Sequence, residues 1–139
     1  MEAANCGAIG PRNSKGKTLG IGVTNLQEKP NVCAHPYIQL DYFFARKWLL
    51  MNYSKAFIVF PGGFGTLNEF FEILTLIQTN RLPATPILLV GGIYWEPFVT
   101  WLSTIVLQEG AVDKEDVSLI QVVDNIDEII PILHHICHA

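Results

Sequence analysis

Apolar residues in this chain come in short unbroken runs, each closed by glycine, proline or a polar cluster. Lys55–Phe60 (KAFIVF) stops at Pro-Gly-Gly, and Pro86–Val90 (PILLV) stops at Gly91-Gly92. Runs without polar alternation mark strands covered on both faces. Thr18–Asn25 (TLGIGVTN), with β-branched residues between glycines, and Val117–Val123 predict two more strands. The segments between them predict helices. Met1–Ile9 is Ala-rich and ends around Gly7 and Gly10, and Tyr37–Tyr53 carries aromatics and leucines on nearly every side. Thr66–Thr79 follows, then Trp95–Glu109 with Gly110 just past its end, and Ile126–Ile136 capped near Asp124 or Asn125. Pro11–Lys17 and Gln27–Pro36 read as loops. Alternating strands and helices, with the strands fully apolar, predict an α/β fold, a Rossmann-like doubly wound parallel sheet in a single domain over 1–139. About four strands are counted, where a sheet usually has ~5–6. The chain also opens in a helix with no strand ahead of it, so the expected domain is N-terminally incomplete.

Composition narrows the function classes. Of 139 residues, 50% are apolar and 16% charged, well under the usual charged share of about 25%. So little charge predicts apolar surface covered by another subunit. The net charge of −4 gives no basic footprint for nucleic acid, so a phosphate-bearing ligand has to be held by local geometry. Cys6, Cys33 and Cys137 are an odd number without CxxC spacing, and read as reduced thiols with neither a metal framework nor a disulfide scaffold. No apolar run approaches the ~20 residues needed to cross a bilayer, and the first residues have no basic-then-apolar leader pattern. These readings predict a soluble cytoplasmic protein.

The candidate chemistry lies after the Lys55–Phe60 strand, in Pro61-Gly62-Gly63-Phe64-Gly65-Thr66-Leu67-Asn68-Glu69. Ligands of open parallel sheets bind at the carboxyl ends of strands. Glycines let backbone N–H groups approach a phosphate, and the helix N-terminus adds partial positive charge. The run is neither a Walker A loop nor the dinucleotide fingerprint, since it lacks Gly-Lys-Ser/Thr and a third glycine at the required spacing. Thr66-Leu67-Asn68-Glu69 equally fits an ordinary capping box, with Glu69 reaching back to the Thr66 N–H. Spacing alone leaves both readings open.

The run P-G-G-F-G-T-L-N-E closely resembles the PGGxGTxxE signature of the LOG family, the cytokinin riboside 5′-monophosphate phosphoribohydrolases, many of which have carried a lysine decarboxylase label. Met1-Glu2-Ala3-Ala4-Asn5 with Gly7-Ala8 is similar to the family's MEAAN-GA helix, and Tyr42-Phe43-Phe44-x-Arg46-Lys47 to its FF-x-RK segment. Glu72-x-Leu74-Thr75-x-Ile77-Gln78-Thr79 and Tyr94-Trp95 resemble forms found in its longer members. Asn25–Asn31 is a looser version of the family's Leu-Pro-x-Glu loop. Members place an initial strand, a helix and a glycine-rich turn ahead of the Met-Glu-Ala-Ala segment, so the resemblance aligns Met1 with an internal methionine.

What the resemblance implies is hydrolysis of the N-glycosidic bond of a nucleoside 5′-monophosphate, giving free base and ribose 5-phosphate. Bond cleavage develops oxocarbenium character at the sugar, which a carboxylate near C1′ stabilises. Glu69 matches the family's catalytic glutamate, placed near a helix N-terminus whose dipole favours the ionised form. Arg46 matches its catalytic arginine, a permanently charged fork of donors. Gly62, Gly63, Gly65 and Thr66 are the phosphate candidates, Glu2 and Asn5 sit where members approach the nucleotide, and Glu72 shares the helical face of Glu69. The resemblance implies no metal and no cofactor, and at least a homodimer with the site near the interface. His134, His135 and His138 resemble a metal tract only loosely, and His35 reads as a loop histidine. The alternative is a non-catalytic nucleotide- or cofactor-binding protein on the same fold. Pyridoxal-dependent lysine decarboxylation finds no support, because Lys47 and Lys55 have no recognisable setting for a Schiff base.

Overall fold

The computed structural model describes residues 2–10, 16–24 and 31–138, with side chains through 135. The expectations on Met1, on 11–15 of the first loop, on 25–30 of the looser family loop and on the side chains of Cys137 and His138 lie outside these residues. The chain divides into two compact units, Met1–Leu50 and Met51–Ala139.

In the first unit, α1 (Glu2–Ala8) is followed by β1 (Gly20–Val23) and β2 (Tyr37–Leu40), which pair in parallel with Gly20 opposite Tyr37 and Val23 opposite Leu40. A Cβ at Gly20 or Gly22 would overlap the Tyr37 ring, so these glycines give that ring its room across the strand. The Thr18 hydroxyl donates to the Cys33 carbonyl at 2.7 Å and tethers the approach to β2. Two expectations are corrected here. Tyr37–Tyr53 is not one helix: Tyr37–Leu40 forms β2, and α2 spans Phe43–Asn52. Its length argued for a helix, but Ser-free spacing of Tyr, Ile and Leu also suits a strand, and pairing with β1 decides between them. Cys6 and Cys33 form a disulfide with Cα atoms 5.0 Å apart, so these two are not free thiols. Their separation of 27 residues hid the pair from a reading based on local spacing.

In the second unit, β3 (Phe57–Val59), β4 (Ile87–Val90) and β5 (Ile120–Val123) form a parallel sheet in that order. Ile87 lies between Phe57 and Ile120, and Leu89 between Val59 and Val122. All four residues of β4 are buried, which explains the continuous apolar run. On one face, Ile87 and Leu89 pack with Phe70, Ile73 and Ile77 of α3 (Phe64–Gln78) and Trp95 of α4 (Gly92–Trp101). On the other, Leu88 and Val90 pack with Val123 and with Ile129 of α6 (Ile126–His138). Helices therefore cover both faces, as in a doubly wound sheet. Asn125 starts α6 as expected: its side chain accepts from the Asp127 N–H at 3.1 Å, and Glu128 accepts from the Asn125 N–H at 3.2 Å.

Two boundaries and the number of strands differ from the sequence reading. Val117–Val123 is split into α5 (Lys114–Ser118) and β5, because Asp113 and Asp116 make a reciprocal capping box that starts a helix. α4 begins at Gly92 and passes into a π-helical turn over Leu102–Val106. The described strands number five, not four, the addition being β2.

Candidate active site

The carboxyl ends of β3, β4 and β5 each lead into a short loop, and hydrogen bonds join the three loops. Gly91 adopts φ of 97°, a left-handed conformation that favours glycine, and its N–H donates to the Val123 carbonyl at 2.8 Å. The next N–H, of Gly92, donates to Asp124 Oδ1 at 2.7 Å. The Tyr94 hydroxyl donates to the Gly62 carbonyl at 2.6 Å, across from α4 to the glycine-rich turn.

That turn leads straight into α3. Gly63 is the N-cap and makes no side-chain cap bond, so Phe64, Gly65 and Thr66 form the first turn. The capping box proposed for Thr66 and Glu69 is therefore not formed. Thr66 is the third helical residue and its side chain lies under the loop, where a Cβ on Gly62 would overlap it. Gly62 is thus demanded by packing within the chain.

Gly63 and Gly65 are different. Gly63 has φ of −88° and ψ of −157°, accessible to any residue, and a Cβ on either glycine would meet no atom within 4 Å. Glycine inside a helix costs roughly 0.5–1 kcal/mol relative to alanine. Neither backbone strain nor packing in the described chain requires it at these two positions. They leave the face of the turn open, with first-turn N–H groups of a 15-residue helix beside it.

Glu69 and Glu72 follow on α3, one turn apart and both half-buried. Glu69 is the sixth residue of the helix, and the first turn holds no acidic residue. Glu69 therefore lies beyond the first turn, within which the helix macrodipole acts, and not at the helix N-terminus as the sequence reading placed it. Gly62, Gly63, Gly65, Thr66, Glu69 and Glu72 thus all belong to one strand–turn–helix segment. Arg46 lies half-buried on α2, with the neighbouring Lys47 Nζ 5.4 Å from the centre of the Phe43 ring. Glu2 is exposed and Asn5 half-buried on α1. These three belong to the first unit. Among the described residues no group of three His, Cys, Asp or Glu side chains could hold a metal ion. No helix is long and apolar enough to cross a membrane among them.

A family model described as "possible lysine decarboxylase" matches residues 1–133, almost the entire chain. The chain belongs to this family, the LOG family. Two relatives carry the same name, cytokinin riboside 5′-monophosphate phosphoribohydrolase. One, from Mycobacterium tuberculosis (strain ATCC 25618 / H37Rv), is 31% identical over 132 residues, covering 92% of this chain and 69% of its own length. The other, from Rhodococcoides fascians, is 29% identical over 93 residues, covering 65% of this chain and 47% of its own length. The chain thus spans about half the length of one relative and about two thirds of the other. The run Pro61–Glu69 is the part of the chain whose geometry and LOG signature coincide.

Sequence reasoning missed the two braces, Tyr94 to Gly62 and Asp124 to Gly92. Gly91-Gly92 and Tyr94-Trp95 were visible as a strand end and a family-like pair. Nothing in spacing says that a residue 32 positions away holds the Gly62 carbonyl.

The close approach at Gly62 gives a stability test. Gly62→Ala is expected to cost about 1–3 kcal/mol, since the added methyl must displace a β-branched side chain or the turn. In a Thr66→Ala background the same substitution should cost measurably less. Equal costs in the two backgrounds, by urea denaturation, would show that Thr66 is not the obstacle.

Proposed function

We propose that this protein hydrolyses the N-glycosidic bond of nucleoside 5′-monophosphates, releasing the free base and ribose 5-phosphate. The observation that carries the reading is the pair Gly63 and Gly65, glycines that the chain itself does not require, on the open side of a helix N-terminus. Membership of the LOG family and the names of the two relatives support the same reaction class. In this proposal the 5′-phosphate lies against the N–H groups of the Gly62–Thr66 turn, with the Thr66 hydroxyl as a further donor.

The base leaves C1′ with the electron pair of the C1′–N bond, and a water oxygen forms the new bond to C1′. Glu69 supplies the negative charge that stabilises the oxocarbenium-like sugar and accepts the proton of the attacking water; the departing base nitrogen takes up a proton from solvent, and Glu69 then returns its own to solvent. Arg46 is proposed as the catalytic arginine that the LOG resemblance implies, a permanently charged fork of donors suited to ribose hydroxyls or phosphate. Glu2, Asn5 and Glu72 are proposed as nucleotide contacts.

The exposed apolar side chains beside the turn, Phe64 at 91% and Ile93 at 99% accessible, support a homodimer or higher homo-oligomer that covers them. Nucleoside monophosphates are cytoplasmic metabolites, and the proposal places the protein there. In that compartment the thiol pool opposes the Cys6–Cys33 bond. Lysine decarboxylation fits poorly. In the second unit the lysines are Lys55, ahead of β3, and Lys114, at the start of α5, and neither follows the carboxyl end of a strand.

Chromatography of mixtures with AMP, GMP, CMP and N6-prenylated AMP is expected to show free base and ribose 5-phosphate in equal amounts from at least one of them. Binding of these nucleotides without release of base would instead favour the carrier-like reading.

A further inference from the structure

We propose that Tyr94 is a positioning residue for the phosphate-binding turn, setting the direction in which the Gly63 N–H points. The inference rests on the nucleotide reading above for its ligand, but its structural half stands on the second unit alone.

The carbonyl of Gly62 and the N–H of Gly63 belong to one planar trans peptide group, in which they point in opposite directions. Whatever fixes the carbonyl therefore fixes the N–H. The Tyr94 hydroxyl holds that carbonyl at 2.6 Å, near the short end of O–H···O distances. With the carbonyl turned towards α4, the Gly63 N–H faces away from it. Gly62 and Gly63 have no side chain to restrict this peptide, and the alternative orientation would aim a carbonyl oxygen where an anion is to bind.

Tyr94 is itself firmly placed. Its N–H donates to the Gly91 carbonyl at 3.1 Å, and its ring meets the ring of the fully buried Trp95 edge-on at 4.8 Å. The start of α4 is fixed in turn by the Gly92–Asp124 bond. The chain of supports runs from the end of β5 through Asp124, Gly92 and Tyr94 to Gly62. Since Tyr94 touches the turn and not the reacting atoms, it governs phosphate affinity and leaves the bond-breaking step to other groups.

The test is Tyr94→Phe in the full chain, which keeps the ring and removes only the hydroxyl. In the ligand-free protein, the Gly63 amide resonance should move in an 15N–1H spectrum while resonances of β5 stay in place. With AMP, KM or Kd should rise about 5–10-fold, with kcat changed less than about threefold, as expected for losing one hydrogen bond that acts in ground and transition states alike. Affinity for adenosine, which lacks the phosphate, should not change. An unmoved Gly63 resonance overturns the proposal, as does an equal loss of affinity for AMP and adenosine. A wild-type chain that binds no nucleotide overturns the nucleotide reading and with it the phosphate role of Tyr94, whereas a moved Gly63 resonance would still establish the brace.

Discussion

Glu69→Gln is expected to leave the fold intact and to lower base release from a hydrolysed nucleotide by on the order of 10²–10⁴-fold in kcat. The substitution keeps the size and shape of the side chain and removes its charge. A glutamine cannot accept the proton of the attacking water, and its neutral amide offers much less to a developing oxocarbenium ion. Glu69 is half-buried beside Phe70, not within the core, so stability should change by no more than about 0.5 kcal/mol. Nucleotide affinity should be retained, because the phosphate is assigned to the Gly62–Thr66 turn and not to the Glu69 side chain. Wild-type kcat in the variant would remove Glu69 from the reaction, even if the protein still hydrolysed its substrate.

The largest loss of stability is expected one residue further along. Phe70→Ala should cost about 3–5 kcal/mol, a sizeable share of the roughly 5–15 kcal/mol that holds a typical domain folded. Phe70 is 1% accessible and its ring lies 5.8 Å from Trp95, 5.6 Å from Phe98 and 5.6 Å from Phe71. Three aromatic neighbours cannot collapse into the space of a missing ring without leaving a cavity. Phe64→Ala, on the same helix, should cost less than about 0.5 kcal/mol in the dissociated monomer, because that ring is almost fully exposed within one chain and any further loss belongs to the oligomer. Chemical denaturation of both variants checks the pair, and a Phe70→Ala cost below about 1 kcal/mol would contradict the packing described.

Leu88, Leu89 and Val90 were legible as a doubly covered strand because every residue of the run is apolar. α3 was legible because a glycine-rich turn precedes an apolar period of about 3.6. Its first residue was misplaced by two positions, since Thr66 looks like a cap and the true cap, Gly63, has no side chain to advertise it. Tyr37–Leu40 was taken into the following helix because its apolar residues fit either period, and only the partner strand Gly20–Val23 selects the extended form. Val117–Ser118 was taken into a strand on local β preference, which the capping box between Asp113 and Asp116 outweighs. The glycine turn was legible as a strand-to-helix loop, and a family signature nominates Glu69 beside it. The disulfide and the Tyr94 brace depend on residues far apart in the chain, where local pattern carries no signal.

Trp95 gives the protein an optical consequence. Of its three tryptophans, Trp48 and Trp101 are 56% and 48% accessible, while Trp95 is fully buried and its indole N–H has no hydrogen-bond partner. An indole in dry, apolar surroundings emits towards shorter wavelengths than one in water. The blue edge of the emission spectrum therefore belongs to a single residue, seated between the phenylalanine cluster and Tyr94. Emission detected at that edge reports on the aromatic cluster of Phe70, Tyr94 and Phe98 around Trp95, with no label introduced and the two exposed indoles as an internal reference.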